Sequence, residues 1–574
     1  MKKALIVTIA RSPIAAAAAF LVIGIGFSSI RVGLQYDEAI FEHGAIHMLY
    51  GQGAPSFTHE QGSWLVVGRV RLPLMILPYV GAAKFYLLLL PFRLFGAAPF
   101  VARVVSALLG AFGIWGIGEL LRRRADPALA AAAPWLLAIH PTLIVRTVFD
   151  STGVSVWMSS VGLIALAASR YLEAPSARSA AWLGVACGFA VWCRLNFLWL
   201  LAGVAVALTI VAGDFVRRLL RIDRVSFGLG FLAGTLPLIA YEVLSGLGTI
   251  RFVASMGRAS ALDQLAARLD LLAQALFYDD GSLAIWSGGA VAPALRFGVA
   301  SIGAAALLTS LALLRGRKEP ISRWSSGAAI AFLGAAALVL ASRQVVKAYH
   351  FAVYLPLVSV FVAGVAIAAA RRSRCLRACM FGIAIVYVIA AATWLDRTAA
   401  GLRRTGGVGH WSDAIEDVAS SLLAGGVESV DVLSWGLNNS LFVLTEGRVR
   451  GQELFWNRSE APERWIPEVK AGGYFLVSTH AALSPAGRGF QSALRLTGAR
   501  FTRQSFPQRG GRPYADVYQV DPSGSNQPST SVTEGHLERK GRSGQVAWAS
   551  ASANGATSRP ASSPAIRSDA APSP

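Results

Sequence analysis

The chain has 574 residues, 54% of them hydrophobic, a mean hydropathy of +0.51 and a formal net charge of +21. That much apolar sequence over that length excludes a water-soluble globular domain. The charge does not point to nucleic acid, because the surplus Arg and Lys sit mostly in short clusters between hydrophobic runs, as in the cytoplasmic loops of membrane proteins.

Runs of about 20 apolar residues, enough to cross a bilayer core of roughly 30 Å, recur along the chain. The fold class is therefore a polytopic α-helical membrane protein. Its four cysteines, Cys187, Cys193, Cys375 and Cys379, lie in or beside hydrophobic segments, so no extramembrane disulfide framework is implied.

Lys2, Lys3 and Arg11 precede an apolar run over 13–30. The run is long for a signal peptide and no clear cleavage site follows it, so it reads as an uncleaved first span with its N-terminus in the cytoplasm. Residues 34–72 then form an outer loop, rich in acids, histidines and arginines, in an otherwise apolar half of the chain. The segment 73–96 is apolar enough to span, but Lys84 would sit near its middle and Pro78 and Pro91 interrupt it. A charge there costs about 2.5–3.5 kcal/mol. The next span, 100–121, ends in Arg122-Arg123-Arg124, a cytoplasmic signal, so only one crossing fits and 73–96 is expected to lie in the interface.

Later spans are expected over 129–148, 154–171, 180–193, 195–212, 227–244, 291–314, 325–341, 351–370 and 378–394. An outer segment over 245–289 carries an amphipathic helix around 261–277. The count is eleven spans, with the C-terminus outside. Beyond Asp396 the composition shifts to that of a small α/β domain (395–521). A helix is expected over 412–423, and strands over 429–435, 474–478 and 516–520, while 441–444 fits either. Residues 522–574 are rich in Ser, Pro, Ala and Gly and read as a disordered tail.

Asp37 and Glu38 are adjacent carboxylates just past the first span. They offer a general base or a metal ligand. Equally, Asp37 reads as the N-cap of a helix through Leu49, with Glu38 at its positive end. His43 and His47 are spaced to share a divalent metal ion, with His59 and Glu60 able to complete the set; the competing reading is the polar face of an interfacial helix and no cofactor. Arg69, Arg71, Lys84, Arg343, Lys347 and His350 are bases on outer loops, where positive-inside bias does not account for them. They suit a lipid phosphate, or ordinary anchoring at headgroups. Asp150, followed by Ser151-Thr152-Gly153, also reads as a helix cap, and Arg194 as a structural residue at a tight turn.

The order of these features resembles the GT-C superfamily of polyprenyl-phosphate-dependent glycosyltransferases. The nearest types are bacterial relatives of protein O-mannosyltransferases and the aminoarabinose transferases. The likeness rests on Gln35-Tyr36-Asp37-Glu38-Ala39 in the first outer loop. It rests also on the segment 73–96 followed by Phe100-Val101-Ala102-Arg103-Val104, on Val148-Phe149-Asp150, and on Lys347-Ala348-Tyr349-His350 with Tyr354-Leu355-Pro356. It covers residues 1–394. The resemblance implies transfer of a sugar from a polyprenyl-phosphate donor to a glycan, lipid or protein acceptor, with inversion, outside a bacterial cytoplasmic membrane. It implies Asp37 as the base, with Glu38 and Asp150 orienting acceptor or base. Lys84 with Arg71, Arg343, Lys347 or His350 would hold the phosphate, and Arg69 and Tyr79 would add substrate contacts. The chain departs from the aminoarabinose transferases where their lysine-proline is Leu72-Pro73, with Arg71 just upstream.

Two other classes compete. A lipid or glycan transporter would place charged or broken-helix sites in paired halves at the midplane, but no internal repeat is evident. A non-catalytic scaffold would be indifferent to loss of the Asp37 carboxylate.

Overall fold

The computed structural model describes residues 12–51, 62–68, 70–150, 152–255, 265–276, 320–342, 349–480 and 483–522. The expected span 291–314, the tail, and the residues His59, Glu60, Arg69, Arg343 and Lys347 lie outside them. Among the described residues, six helices are long and apolar enough to cross a membrane, or eight if two bent pairs each form one span. Pro13–Ser28 and Ala177–Cys193 are shorter apolar helices.

Helix α1 (Pro13–Ser28) starts where the Ser12 side chain accepts from the Ile14 amide and Pro13 takes a first-turn position. The next polar stretch does not form one helix capped by Asp37. It breaks into α2 (Tyr36–Ala39) and α3 (His43–Tyr50), and the cap of α2 is Gln35, whose side chain accepts from the Glu38 amide. Two hairpins follow, β1 (Trp64–Val67) with β2 (Val70–Pro73), and β3 (Met75–Leu77) with β4 (Val80–Gly81). Val67 faces Val70 across a turn in which Gly68 has φ +61°, a conformation that favours glycine.

The interfacial helix expected over 73–96 is thus shorter than the sequence reading. Only α4 (Ala83–Phe95) is helical. Pro73 ends β2 and Pro78 lies between β3 and β4, since proline lacks the amide a helix needs and holds its predecessor extended.

Helix α5 (Pro99–Arg124) closes with its three arginines. The expected span 129–148 is two helices, α6 (Pro127–Ala138) and α7 (Pro141–Val148), bent by 57°. Pro141 cannot extend the first helix, and His140 caps the second by accepting from the Leu143 amide. Next come α8 (Val154–Glu173), α9 (Ala177–Cys193), α10 (Phe197–Val211), α11 (Gly213–Arg221), α12 (Arg224–Ser245), α13 (Gly248–Ser255) and α14 (Leu265–Leu276). Helix α11 turns 115° from α10, carrying Arg217, Arg218 and Arg221. Beyond them run α15 (Pro320–Ala341), α16 (Tyr349–Ala352), α17 (Leu355–Arg372) and α18 (Arg374–Thr405). Helix α18 continues past the expected boundary at 394.

Small residues set the closest helix pair, α9 with α12. A Cβ on Gly184 or Gly188 would strike the carbonyl oxygens of Phe227 and Phe231, and one on Gly230 or Gly234 those of Ala181 and Val185. In a bilayer, where lipid is as apolar as leucine, such close backbone approach is the main source of association.

The C-terminal domain contains α19 (Ala414–Ala424), β5 (Ser429–Val432), α20 (Asn438–Leu444), β6 (Arg450–Glu453), α21 (Ile466–Ala471), β7 (Gly473–Ser478), α22 (Pro485–Thr497), β8 (Phe501–Pro507) and β9 (Pro513–Val520). Its sheet has the order β6-β5-β7-β9-β8, with β5 parallel to β6 and β7, and β9 antiparallel to β7 and β8. The expected helix and three strands are present. The segment 441–444 is helical, and β6, α21, β8 and α22 were not expected. The domain rests on the first loop, where Phe442 and Val443 pack with Leu34, Ala39, Ala45 and Ile46. The Gly33 amide donates to the carbonyls of Gly406 and Trp411. Arg31 pairs with Glu416 at 2.8 Å, and Arg509 pairs with Asp413 at 2.7 Å.

Candidate functional site

Sequence-distant charges meet beneath α2. Arg103, in the second turn of α5, donates from Nε to Glu38 Oε1 at 2.7 Å and from Nη2 to Glu38 Oε2 at 2.9 Å. It also donates to the carbonyls of Val32 at 3.1 Å and Gly33 at 3.2 Å. Its guanidinium lies 4.7 Å from the centre of the Phe149 ring. The fork geometry fixes Glu38 in place, as bidentate arginine–carboxylate pairs do.

Lys84, in the first turn of α4, donates to Asp150 Oδ2 at 2.9 Å, with 1% and 0% of the two side chains exposed. Asp150 also accepts from the Ser155 amide at 3.1 Å and from the Ser155 hydroxyl. Asp150 is thus not the N-cap of α8, a position taken by Gly153, but its carboxylate still binds the amide of the second residue of that helix, and a buried cation is added to it. The turn that carries Asp150 is braced by Arg194, which donates to the Thr152 carbonyl and stacks over Trp157 at 5.1 Å.

Between these pairs lies Glu42, fully buried, with no hydrogen-bond partner for either carboxylate oxygen. Burial, and then the Glu38 carboxylate, push its pKa from 4.5 up to about 8, with Lys84 and Arg103 opposing. The electrostatics are coherent. Two carboxylates balance two cations, and the fifth group is held neutral, which costs far less than a third buried anion. Glu42 was missed in the sequence, although an acid four residues after Glu38, behind Ala39-Ile40-Phe41, is a visible signal.

Asp37 is half-buried, on the exposed side of α2 relative to Glu38. Tyr79 stacks on Phe252 with ring centres 5.2 Å apart. Burial raises its pKa, Arg194 opposes and the Asp37 charge adds, so Tyr79 lies within electrostatic reach of Asp37. Tyr36, immediately before Asp37, donates to Glu453 Oε1 at 3.0 Å, and the same oxygen accepts from Asn438 at 3.0 Å. The Tyr36 ring sits 5.0 Å from Trp435. The C-terminal domain thus contacts the residue next to Asp37.

The remaining expected residues divide. His350 is buried on α16, which packs against α7, the helix leading to Asp150. Arg71 is exposed on β2, which packs against α3, with no partner among the described residues. His43 and His47 do not face each other across a metal set. The His43 ring lies 5.2 Å from Phe85, and His47 4.8 Å from Trp64. Among the described residues no three His, Cys, Asp or Glu side chains come together as metal ligands.

No protein-family model matches the sequence, and no curated protein matches it. Solved structures do. ArnT from Cupriavidus metallidurans, bound to undecaprenyl phosphate, aligns at 14% identity over 90% of this chain and 98% of its own, with a TM-score of 0.54. The Archaeoglobus fulgidus oligosaccharyltransferase aligns at 15% identity over 86% of this chain and 79% of its own, with a TM-score of 0.43. The fold of this chain is thus that of the ArnT structure, here a polytopic helical membrane body with a small α/β domain at its C-terminal end.

Proposed function

We propose that the chain is a membrane glycosyltransferase. It moves a sugar from a polyprenyl-phosphate donor to an acceptor hydroxyl on the outer side of the membrane, with inversion at the anomeric carbon. The observation that carries this reading is the placement of Asp37: a half-buried carboxylate standing beside two buried ion pairs, on the fold shared with ArnT.

A phosphate ester is a competent leaving group, so no side-chain acid is needed. The reaction asks for one base and for cations. Asp37 takes the proton of the acceptor hydroxyl. The acceptor oxygen bonds to the anomeric carbon from the face opposite the phosphate, the carbon–oxygen bond to phosphate breaks, and the polyprenyl phosphate leaves with the electron pair. Glu38, clamped by Arg103, is a positioning residue that holds the short helix bearing Asp37. Lys84 is the proposed phosphate cation, with Asp150 as its resting counter-ion. Arg71, His350 and, outside the described residues, Arg69, Arg343 and Lys347 are further candidates for the donor, and Tyr79 for the acceptor side.

The test is transfer by the purified protein in liposomes supplied with polyprenyl-phosphate-linked sugar. Asp37→Asn is expected to lower the rate by about 10²–10⁴-fold, the range for loss of one general base, with an unchanged unfolding midpoint. Full transfer by Asp37→Asn would show the base assignment wrong, and absence of transfer by the wild-type protein would leave the transporter reading.

A further inference from the structure

A cavity of about 500 Å³ lies among α5, α8, α10, α15 and α17. Its wall is apolar along most of its length: Val161, Leu201, Val204, Leu208 and Val360 are representative. At one end stand Arg124, the last residue of α5, and Arg323, near the start of α15. We propose that this cavity binds an acyl chain of an anionic glycerophospholipid whose phosphate is held by Arg124 and Arg323. The proposal does not depend on the glycosyltransferase reading.

Three observations support it. First, the size lies within the roughly 300–1,000 Å³ of small-molecule sites. Lining residues run along α10 from Phe197 to Val211, about 21 Å at 1.5 Å per residue. A lining that extends this far along one helix suits a hydrocarbon chain.

Second, the two arginines have spare donors. Arg124 Nε is buried with no hydrogen-bond partner, and its Nη2 reaches only the Ser169 carbonyl at 3.5 Å. Arg323 donates to the Val211 carbonyl at 2.8 Å. Neither meets a carboxylate among the described residues. Their neighbours differ: Arg122 and Arg123 are paired with Glu119, and Arg371 with Asp126. Asp214, which also lines the cavity, is bound to Arg217 at 2.6 Å. A phosphate oxygen matches the free guanidinium donors, and a headgroup without an ammonium adds no cation to this basic face.

Third, position separates this site from the one under α2. Arg103 and Arg124 stand at opposite ends of α5, about 32 Å apart along its axis. That is close to a bilayer core of roughly 30 Å. A phosphate at Arg124 therefore belongs to a lipid of the other leaflet, not to a donor held at Lys84.

The experiment uses the full-length protein purified in detergent, delipidated, and titrated with phosphatidylglycerol, phosphatidylcholine or undecaprenyl phosphate, with bound lipid read by native mass spectrometry. Wild type is expected to take up one phosphatidylglycerol in preference to the other two. A surface-bound basic residue contributes about fivefold to affinity for an anionic headgroup, so Arg124→Ala with Arg323→Ala is expected to weaken phosphatidylglycerol binding about 25-fold. Ala168 of α8 lines the same cavity; Ala168→Phe keeps both arginines but fills the cavity, and is expected to lose the bound lipid while the unfolding midpoint stays at or above that of delipidated wild type. Unchanged binding in both variants, or equal uptake of phosphatidylcholine or undecaprenyl phosphate, would overturn the proposal.

Discussion

The two faces of the membrane body use the same residue types in opposite ways. Under α2, Glu38–Arg103 and Lys84–Asp150 are almost fully buried, with no more than 3% of any of the four side chains exposed. At the far ends of the helices, Arg122 and Arg371 are 55% and 50% exposed while paired with Glu119 and Asp126. The distance within a pair is nearly the same. What differs is the solvent, and with it the consequence of losing one partner. An exposed arginine is rehydrated, whereas a buried carboxylate left alone is an uncompensated charge. The same pairing distance therefore goes with a costly loss on the first face and a cheap one on the second.

The largest test of that contrast is Arg103→Met. It strands Glu38 and is expected to cost about 3–5 kcal/mol, measured by thermal or denaturant unfolding in detergent. Adding Glu38→Gln should recover much of the loss. A cost no greater than that of a surface pair would erase the distinction between the faces.

An effect that is smaller at any one pH step concerns Glu42. Its folded-state pKa lies above its ordinary value of 4.5, at about 8, so the folded protein binds the extra proton. Stability tied to Glu42 is therefore fully present below about pH 4.5 and is lost as pH rises toward 8. The slope from one group is at most about 1.4 kcal/mol per pH unit. Glu42→Gln should flatten the fall in unfolding midpoint across that window. A variant with the wild-type slope would mean that Glu42 is not the proton acceptor.

The smallest effect is expected at the other face. Arg371→Ala removes the pair with Asp126 and should change stability by about 1 kcal/mol or less, and less still at high salt.

Much of this was legible in the sequence, for identifiable reasons. The spans showed because apolar runs and basic clusters are local signals. Asp37, Glu38, Lys84 and Asp150 were singled out because charges in apolar surroundings need a reason. The pairings were not legible: Glu38 and Arg103 are 65 residues apart, and Lys84 and Asp150 are 66. Nothing in one sequence says which buried cation meets which acid. The hairpins over 64–81 were missed because 64–72 reads as part of a polar loop and the apolar residues of 73–81 count toward a helix. The Val67-Gly68 step and Pro73 and Pro78 carried the opposite message. In the C-terminal domain β8 escaped notice because Thr502, Arg503 and Gln504 break its apolar pattern.

Tyr36 links the two ends of the chain. Its hydroxyl is held by Glu453, while its backbone leads directly into Asp37. The candidate base is therefore assembled from material more than 400 positions apart, 417 by numbering. The chain therefore cannot complete the contacts around its first loop until residues 438–453 have been made and folded against it.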